Sequence, residues 1–200
     1  MEESVRRLAQ MLFVRVIASL GTTAYAAHQI AINAESISYM PGFGIAVAAT
    51  TIVGQNLGAD NPEGAEKGSF EAWKLGSIIM GFMALVFLVF PEQLIKLYTE
   101  DPEIIRRGAL NLRIIAFSQI PMGTHFIFAG SLRGAGDTKA VFYSTAVSTW
   151  IFRLFLGYLL VHTFNLGLAG GWIAMVIDWS VRGSYVFYRF KKGKWKTIEV

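Results

Sequence analysis

The sequence contains no cysteine, and charged residues make up only 16% of its 200 positions. Without cysteine the chain has neither a disulfide framework nor a thiolate zinc site. So little charge beside 54% apolar residues also excludes a disordered chain and the basic surface that nucleic-acid binding requires. Since the sequence also lacks an HExxH motif, a GxSxG motif and any clustered Asp and His set for a metal, we predict no enzyme and no cofactor.

Apolar residues are abundant, and the mean hydropathy is +0.45. A single soluble core of this size cannot bury them, whereas membrane-spanning helices of about 20 residues each would. The composition therefore predicts an all-α, polytopic membrane helix bundle that has the lipid bilayer as its first partner.

Hydropathy divides this single predicted domain into six helical segments. Pro41 lies inside the second segment, where a missing backbone hydrogen bond should bend the helix rather than end it. The first segment begins with charged residues, among them Glu2 and Glu3, so it is short for a span and resembles the truncated tail of one. The predicted spans are residues 4–20, 23–57, 68–90, 103–132, 139–163 and 167–190, followed by a basic tail at 191–200.

Lysine and arginine predict the orientation, because cytoplasmic loops keep positive charge. Counting through the six segments from a cytoplasmic C-terminus leaves nine basic residues on the cytoplasmic side and three outside. We therefore expect a multi-pass protein of the cell (inner) membrane with its C-terminus in the cytoplasm.

Two loops carry the most specific residues. The first reads Val-Gly-Gln-Asn-Leu-Gly-Ala-Asp-Asn-Pro at positions 53–62, and the second reads Ser-Leu-Arg-Gly-Ala-Gly-Asp-Thr-Lys at positions 131–139. Glycine and a polar turn are typical of helix ends, and Asp137 or Thr138 would cap the helix that follows. The two loops, in this order and spacing, resemble the multidrug and toxic compound extrusion (MATE) family of secondary transporters. Two further segments share the resemblance: Ala-Ala-His-Gln-Ile at 26–30 and Met-Pro-Gly-Phe-Gly at 40–44.

The resemblance covers essentially the whole chain, but it matches only the C-terminal six-helix lobe of a family whose members have two such lobes. It implies an N-terminal lobe or a second half-subunit as partner. The first residues lie inside what would be that lobe's first helix. We therefore expect a truncated or split gene, or a fragment of a longer protein, in preference to a half-size subunit that pairs with itself or another half.

The resemblance also implies an activity: efflux of small cationic or amphipathic drugs and other xenobiotics by antiport with H⁺ or Na⁺, without a cofactor. Members similar to the sodium-coupled branch carry acidic residues in the first and fourth helices of this lobe. Here the fourth-helix position reads Pro-Met-Gly at 121–123, which argues against sodium coupling through this lobe.

One face of the second segment is polar. Advancing about 100° per residue places six polar side chains within one arc, opposite the Ala- and Ile-rich side. Such a stripe is typical of a helix that lines a water-accessible cavity, where a carboxylate and an imidazole bind cations or protons and aromatic rings contact a cationic ligand. The alternative is that these groups only hydrogen-bond to neighbouring helices. The candidate residues are Tyr25, His28, Gln29, Glu35, Ser36 and Tyr39.

Four ionisable residues lie farther along the chain. Asp178 and Arg182 are four residues apart on the last segment, which predicts a structural ion pair. Arg153 falls near the middle of the fifth segment and needs a carboxylate, for which Asp178 and Glu35 are the candidates. His125, on a segment with Ser118, Gln119 and Pro121, could line the cavity, but a hydrogen-bonded packing histidine is the favoured interpretation.

Two other functions remain open. A lipid-linked-sugar flippase of related architecture would have Arg153 and Arg113 facing one lumen. A non-transporting membrane assembly subunit would bury the polar stripe of the second segment against its own helices.

Overall fold

The computed structural model describes the backbone of residues 2–198 and the side chains of residues 7–198. Every regular element in that part is a helix, so the predicted all-α bundle is confirmed. The side chains of Glu2 and Glu3, and the last two residues of the basic tail, lie outside the described residues. The helices are α1 (Glu2–Ala18), α2 (Thr22–Gly58), α3 (Pro62–Val89), α4 (Pro91–Lys96), α5 (Pro102–Ala116), α6 (Gln119–Gly134), α7 (Thr138–Thr163) and α8 (Gly167–Lys191), followed by a 3₁₀ turn at Lys194–Thr197.

Three of these helices, α2, α3 and α7, are long and apolar enough to cross a membrane. The other predicted windows contain helices that are shorter or carry more charge, and six crossings therefore stay a prediction. Helix α2 continues through Pro41 although this residue has no backbone N–H for the carbonyl one turn earlier.

The predicted window 103–132 contains two helices. Helix α5 ends at Ala116 and α6 begins at Gln119, and the amide of Ser118 donates to the carbonyl of Ile115 at 2.9 Å. Pro121 explains the interruption, since its missing N–H leaves the carbonyl of Phe117 without a helical partner. The preceding stretch, expected to be a loop over 91–102, contains the short helix α4.

The first signature loop is a capped turn between α2 and α3. Asn61 accepts a hydrogen bond from the amide of Gly64 at 2.9 Å and donates to Asn56 Oδ1 at 3.1 Å. Pro62 follows at the first helical position, where no backbone N–H is needed. Helix α3 therefore begins at residue 62, earlier than the predicted start at residue 68.

The second signature loop follows a close contact between α6 and α2. A Cβ atom on Gly130 would collide with the carbonyl oxygen of Ala46, and one on Gly134 would collide with that of Thr50. The two glycines are four residues apart, so both face α2 and let the two backbones approach. Asp137 begins α7 without a side-chain cap, and its carboxylate instead accepts a hydrogen bond from Arg189 Nε at 2.7 Å.

Aromatic side chains close the bundle at the end that carries both signature loops. Trp195 is fully buried, stacks on Phe190 with 4.7 Å between ring centroids, and donates its indole N–H to the Phe190 carbonyl at 2.8 Å. Lys196 forms an ion pair with Glu66 on α3. The chain after α8 thus joins two helices that are distant in sequence. A second core, near the other end, contains apolar residues of α1, α2, α5 and α8.

Candidate functional site

A cavity of about 420 Å³ lies among α1, α2, α6, α7 and α8. Its wall combines aromatic and methionine side chains with a carboxylate, two guanidinium groups and an amide. A mixed lining of this kind suits a ligand that is apolar over most of its surface and polar at a few points. The lining residues are Gln10, Ile32, Glu35, Tyr39, Phe43, Met122, Phe126, Thr149, Arg153, Met175, Trp179 and Arg182.

Asp178 lies directly behind this wall and is fully buried. Arg182, one turn later on α8, donates from Nε to Oδ1 and from Nη2 to Oδ2, both at 2.7 Å. Arg153 of α7 approaches the same carboxylate, with 2.8 Å between its Nε and Oδ2. One buried cation, Arg182, and one half-buried cation, Arg153, therefore share one buried anion.

Polar and aromatic neighbours complete this charge cluster. Ser148 donates to Asp178 Oδ1 at 2.6 Å, and Arg182 Nη2 donates to Thr149 Oγ1 at 2.5 Å. The guanidinium carbons of Arg153 and Arg182 lie 5.2 and 5.0 Å from the centroid of the Trp179 ring. Cation–π attraction and hydrogen bonds thus offset part of the desolvation cost of the buried charges.

Arg153 lies in a π-helical turn of α7, Thr149–Phe155, and a second π turn covers Leu159–Thr163. A π turn contains an extra residue, so it rotates the following side chains relative to a regular helix. In α7 the first turn brings Arg153 towards α8 and keeps Thr149 within reach of Arg182. The ion cluster therefore depends on an irregular backbone.

Two polar groups at the cavity are left with hydrogen-bonding capacity. Glu35 is only 3% exposed, and no hydrogen bond reaches its carboxylate from the described side chains, residues 7–198. The Nη2 atom of Arg153 is also buried without a hydrogen-bond partner in that part of the chain. The site thus combines a buried carboxylate and part of a guanidinium that a substrate, an ion or water can satisfy.

The polar stripe predicted on α2 divides among several environments. Glu35 and Tyr39 line the cavity, whereas the Ser36 hydroxyl donates to the Asn33 carbonyl of its own helix at 2.6 Å. Gln29 donates to the Tyr25 hydroxyl at 3.2 Å, and neither of these two residues lines the cavity.

Both predicted histidines are packed against aromatic rings. His28 is buried between Phe13 and Trp172, with ring centroids 6.1 and 5.6 Å away. His125 is buried beside Trp179, with 5.6 Å between the ring centroids. Neither histidine lines the cavity, and a helical projection of one segment cannot reveal this, because it contains no neighbouring helices.

Five polar or aromatic lining residues were not predicted from the sequence: Gln10, Phe43, Phe126, Thr149 and Trp179. Gln10 lies on α1, whose charged first residues are its more conspicuous feature in the sequence. Trp179 follows Asp178 directly, and this adjacency is the one signal by which it could have been found.

A comparison with family models matches residues 3–159 to MatE. The chain belongs to the MATE family. A protein of Thermotoga maritima named "Probable multidrug resistance protein NorM" is 37% identical over 186 residues, which are 93% of this chain and 40% of that protein. "Multidrug resistance protein MdtK" of Proteus mirabilis is 31% identical over 166 residues, 81% of this chain and 36% of its own length. The chain therefore spans about two fifths of the curated MATE relatives that it matches.

Solved structures agree on the fold. The inward-facing conformation of a MATE family transporter of the MOP superfamily superposes with a TM-score of 0.86 at 21% identity, and the match covers all of this chain and 47% of that one. The outward-facing conformation gives 0.88 at 18% identity, with 100% and 44% covered. A MOP superfamily transporter from Pyrococcus furiosus gives 0.86 at 18% identity, with 94% and 42% covered.

Proposed function

We propose that this chain forms one lobe of a secondary active transporter that exports small cationic or amphipathic drugs and other xenobiotics in exchange for a cation. The observation that carries the proposal is the cavity, in which the carboxylate of Glu35 lines the same space as Tyr39 and Trp179. An organic cation would find there both a counter-charge and aromatic rings. The names of the relatives, NorM and MdtK, agree with multidrug export.

The lobe works, in this proposal, by moving as a unit against an N-terminal lobe or a second half-subunit. Its fold matches an inward-facing and an outward-facing transporter almost equally well, with TM-scores of 0.86 and 0.88. A unit that keeps its internal fold in both conformations supports rocking of lobes around a fixed site.

Glu35 would couple cation entry to substrate export, because its carboxylate would bind in turn the coupling cation, either H⁺ or Na⁺, and the substrate. A carboxylate cannot hold the coupling ion and the cationic substrate at once, so release of one favours binding of the other. The transporter would need no cofactor. The excess of lysine and arginine at the end where α8 terminates supports a cytoplasmic C-terminus in the cell membrane.

The test is a chimaera in which this chain replaces the matching segment of the Thermotoga maritima relative. In proteoliposomes, we expect one of two imposed gradients, of protons or of sodium, to drive efflux of a cationic dye. Glu35→Gln should abolish gradient-driven efflux. Glu63→Gln, which removes an exposed carboxylate in the first turn of α3, should leave it unchanged.

Gradient-driven efflux by the chain alone would contradict the need for a second lobe. Equal efflux by Glu35→Gln and the unmodified chimaera would favour the assembly subunit instead. The flippase is less well supported, since Arg113 lies beside Glu92 on α4, with 3.3 Å between Nη2 and Oε1, rather than on the cavity wall with Arg153.

A further inference from the structure

A second concavity, separate from the cavity around Glu35, opens on the outer surface of the bundle between α1 and α7. It encloses about 660 Å³, and its lining is apolar except at one end. At that end Ser19 lies 3.2 Å from His162, measured from Oγ to Nε2, and Arg15 lies one turn before Ser19 on the same face. The groove thus has a polar end and a long apolar body.

Arg15 is the feature that requires explanation. Its side chain is exposed, and no carboxylate among residues 7–198 forms an ion pair with it. Arg15 lies in the last turn of α1, where a helix that crosses a bilayer would reach the headgroup region. The anion that a bilayer itself supplies is the phosphate of a lipid headgroup.

The size of the groove fits one lipid leaflet. Along α7 its lining runs from Trp150 to His162, a separation of twelve residue steps, or roughly 18 Å at the usual rise of a helix. Half of the hydrocarbon core of a bilayer is about 15 Å thick. A chain whose headgroup lies at Arg15 would therefore extend along the groove to the level of Trp150.

The α7 wall of the groove is built largely from the two π turns. Trp150, Leu154 and Phe155 belong to the first, and His162 belongs to the second. The first π turn also carries Arg153 on its inner side. Irregular turns of this kind recur where helices hold ligands.

We infer that the groove between α1 and α7 binds an anionic phospholipid, with its phosphate at Arg15 and an acyl chain against Trp150 and Leu154. The Ser19 hydroxyl donates to the Val16 carbonyl at 2.7 Å, so His162 donates to Ser19 through Nε2. Both side chains are thereby held at the polar end, where the Arg15 guanidinium provides the charge.

The test uses the full chain in two sets of phosphatidylcholine nanodiscs. One set contains a small fraction of phosphatidylglycerol with brominated acyl chains, and the other contains the same fraction of phosphatidylcholine with brominated acyl chains. Bromine quenches tryptophan at contact, and the difference between the unmodified chain and Trp150→Phe isolates the contribution of Trp150. We expect Trp150 to favour brominated phosphatidylglycerol about fivefold, which corresponds to about 1 kcal/mol. Arg15→Gln should abolish the preference, whereas Lys96→Gln, an exposed cation on α4, should preserve it.

A second variant, Leu12→Phe, narrows the apolar body of the groove and leaves Arg15 in place. It should reduce quenching of Trp150 by both brominated lipids. Equal quenching by the two lipids in the unmodified chain would overturn the proposal, and so would a preference that survives Arg15→Gln. Quenching that does not change in Trp150→Phe would place the lipid outside the groove and would also overturn it.

Discussion

The guanidinium of Arg153 and the carboxylate of Asp178 meet between α7 and α8, with 2.8 Å between Nε and Oδ2. Asp178 also accepts two hydrogen bonds from Arg182, and it is fully buried. One carboxylate therefore keeps two arginines paired next to the cavity.

Removal of that carboxylate should destabilise the bundle strongly. Asp178→Asn leaves a buried and a half-buried guanidinium group without the counter-charge they share, and we expect the free energy of unfolding in mild detergent to fall by about 3–5 kcal/mol. The control is Glu103→Gln, which removes an exposed carboxylate paired with Arg106 and Arg107 and should leave the free energy of unfolding nearly unchanged. Equal losses in both variants would contradict the prediction.

The coupling between the two charges can be measured separately. If Arg153 is held mainly by Asp178, the double variant Asp178→Asn with Arg153→Gln should lose less stability than the sum of the two single variants. A difference of about 0.5–3 kcal/mol is expected for groups in contact. Additive losses would mean that Arg153 has another partner, for which Glu35, on the same cavity wall, is the candidate.

The close approach of α6 to α2 predicts a large effect of a single methyl group. In Gly130→Ala the new Cβ meets the carbonyl of Ala46, so the helices must separate, and we expect a loss of about 1–3 kcal/mol in unfolding free energy. Gly81→Ala on α3 is the matched control, since nothing lies within 4 Å of its Cβ position. That change should stabilise the chain by up to about 1 kcal/mol through helix propensity. A stabilising Gly130→Ala would show that the contact is loose.

The packing of Trp195 on Phe190 predicts a loss of stability that depends on which side chain replaces Trp195. Trp195→Ala opens a buried space and should cost about 3–5 kcal/mol, whereas Trp195→Phe keeps the stacking on Phe190 and should cost about 0.5–1.5 kcal/mol for the lost hydrogen bond. Denaturant titration gives both values. Limited proteolysis should cut Trp195→Ala first near α8, and uniform cutting along the chain would argue against a local role.

The Asn61 cap predicts a modest and chemically specific effect. Asn61→Ala removes the acceptor for the Gly64 amide and should destabilise the chain by about 0.5–2 kcal/mol. Asn61→Asp keeps an acceptor and should retain most of that stability in the same thermal unfolding measurement. If both substitutions were equally harmful, the donated bond to Asn56 would be the more important interaction.

The sequence carries the signals for two helix boundaries that hydropathy misplaced. Asn61 and Pro62 mark the start of α3 at residue 62 rather than 68, and Pro121 accounts for the division of the predicted span 103–132 into α5 and α6. Both signals are local, because they depend on which backbone groups lack a partner. The two signature loops lie at helix ends, as their glycines and polar residues predict.

The site was less predictable because it depends on rotation and neighbours. The sequence leaves Asp178 and Glu35 as candidates to pair with Arg153, and the contact with Asp178 depends on the π turn in α7. His28 shares a helix face with other polar residues, but Phe13 and Trp172 come from distant segments to cover it. Periodicity cannot predict either feature, since neither is encoded within one helix.

Asp178 is paired with one arginine from α7 and one from α8, and this arrangement affects how the helices can enter the membrane. A charge at bilayer depth costs about 2.5–3.5 kcal/mol on insertion scales, and α8 alone would carry both Asp178 and Arg182. Only a short segment, residues 164–166, separates α8 from the end of α7. We therefore expect the two helices to leave the translocon together as a hairpin, with Arg153 and Asp178 already paired, so that neither charge meets lipid alone.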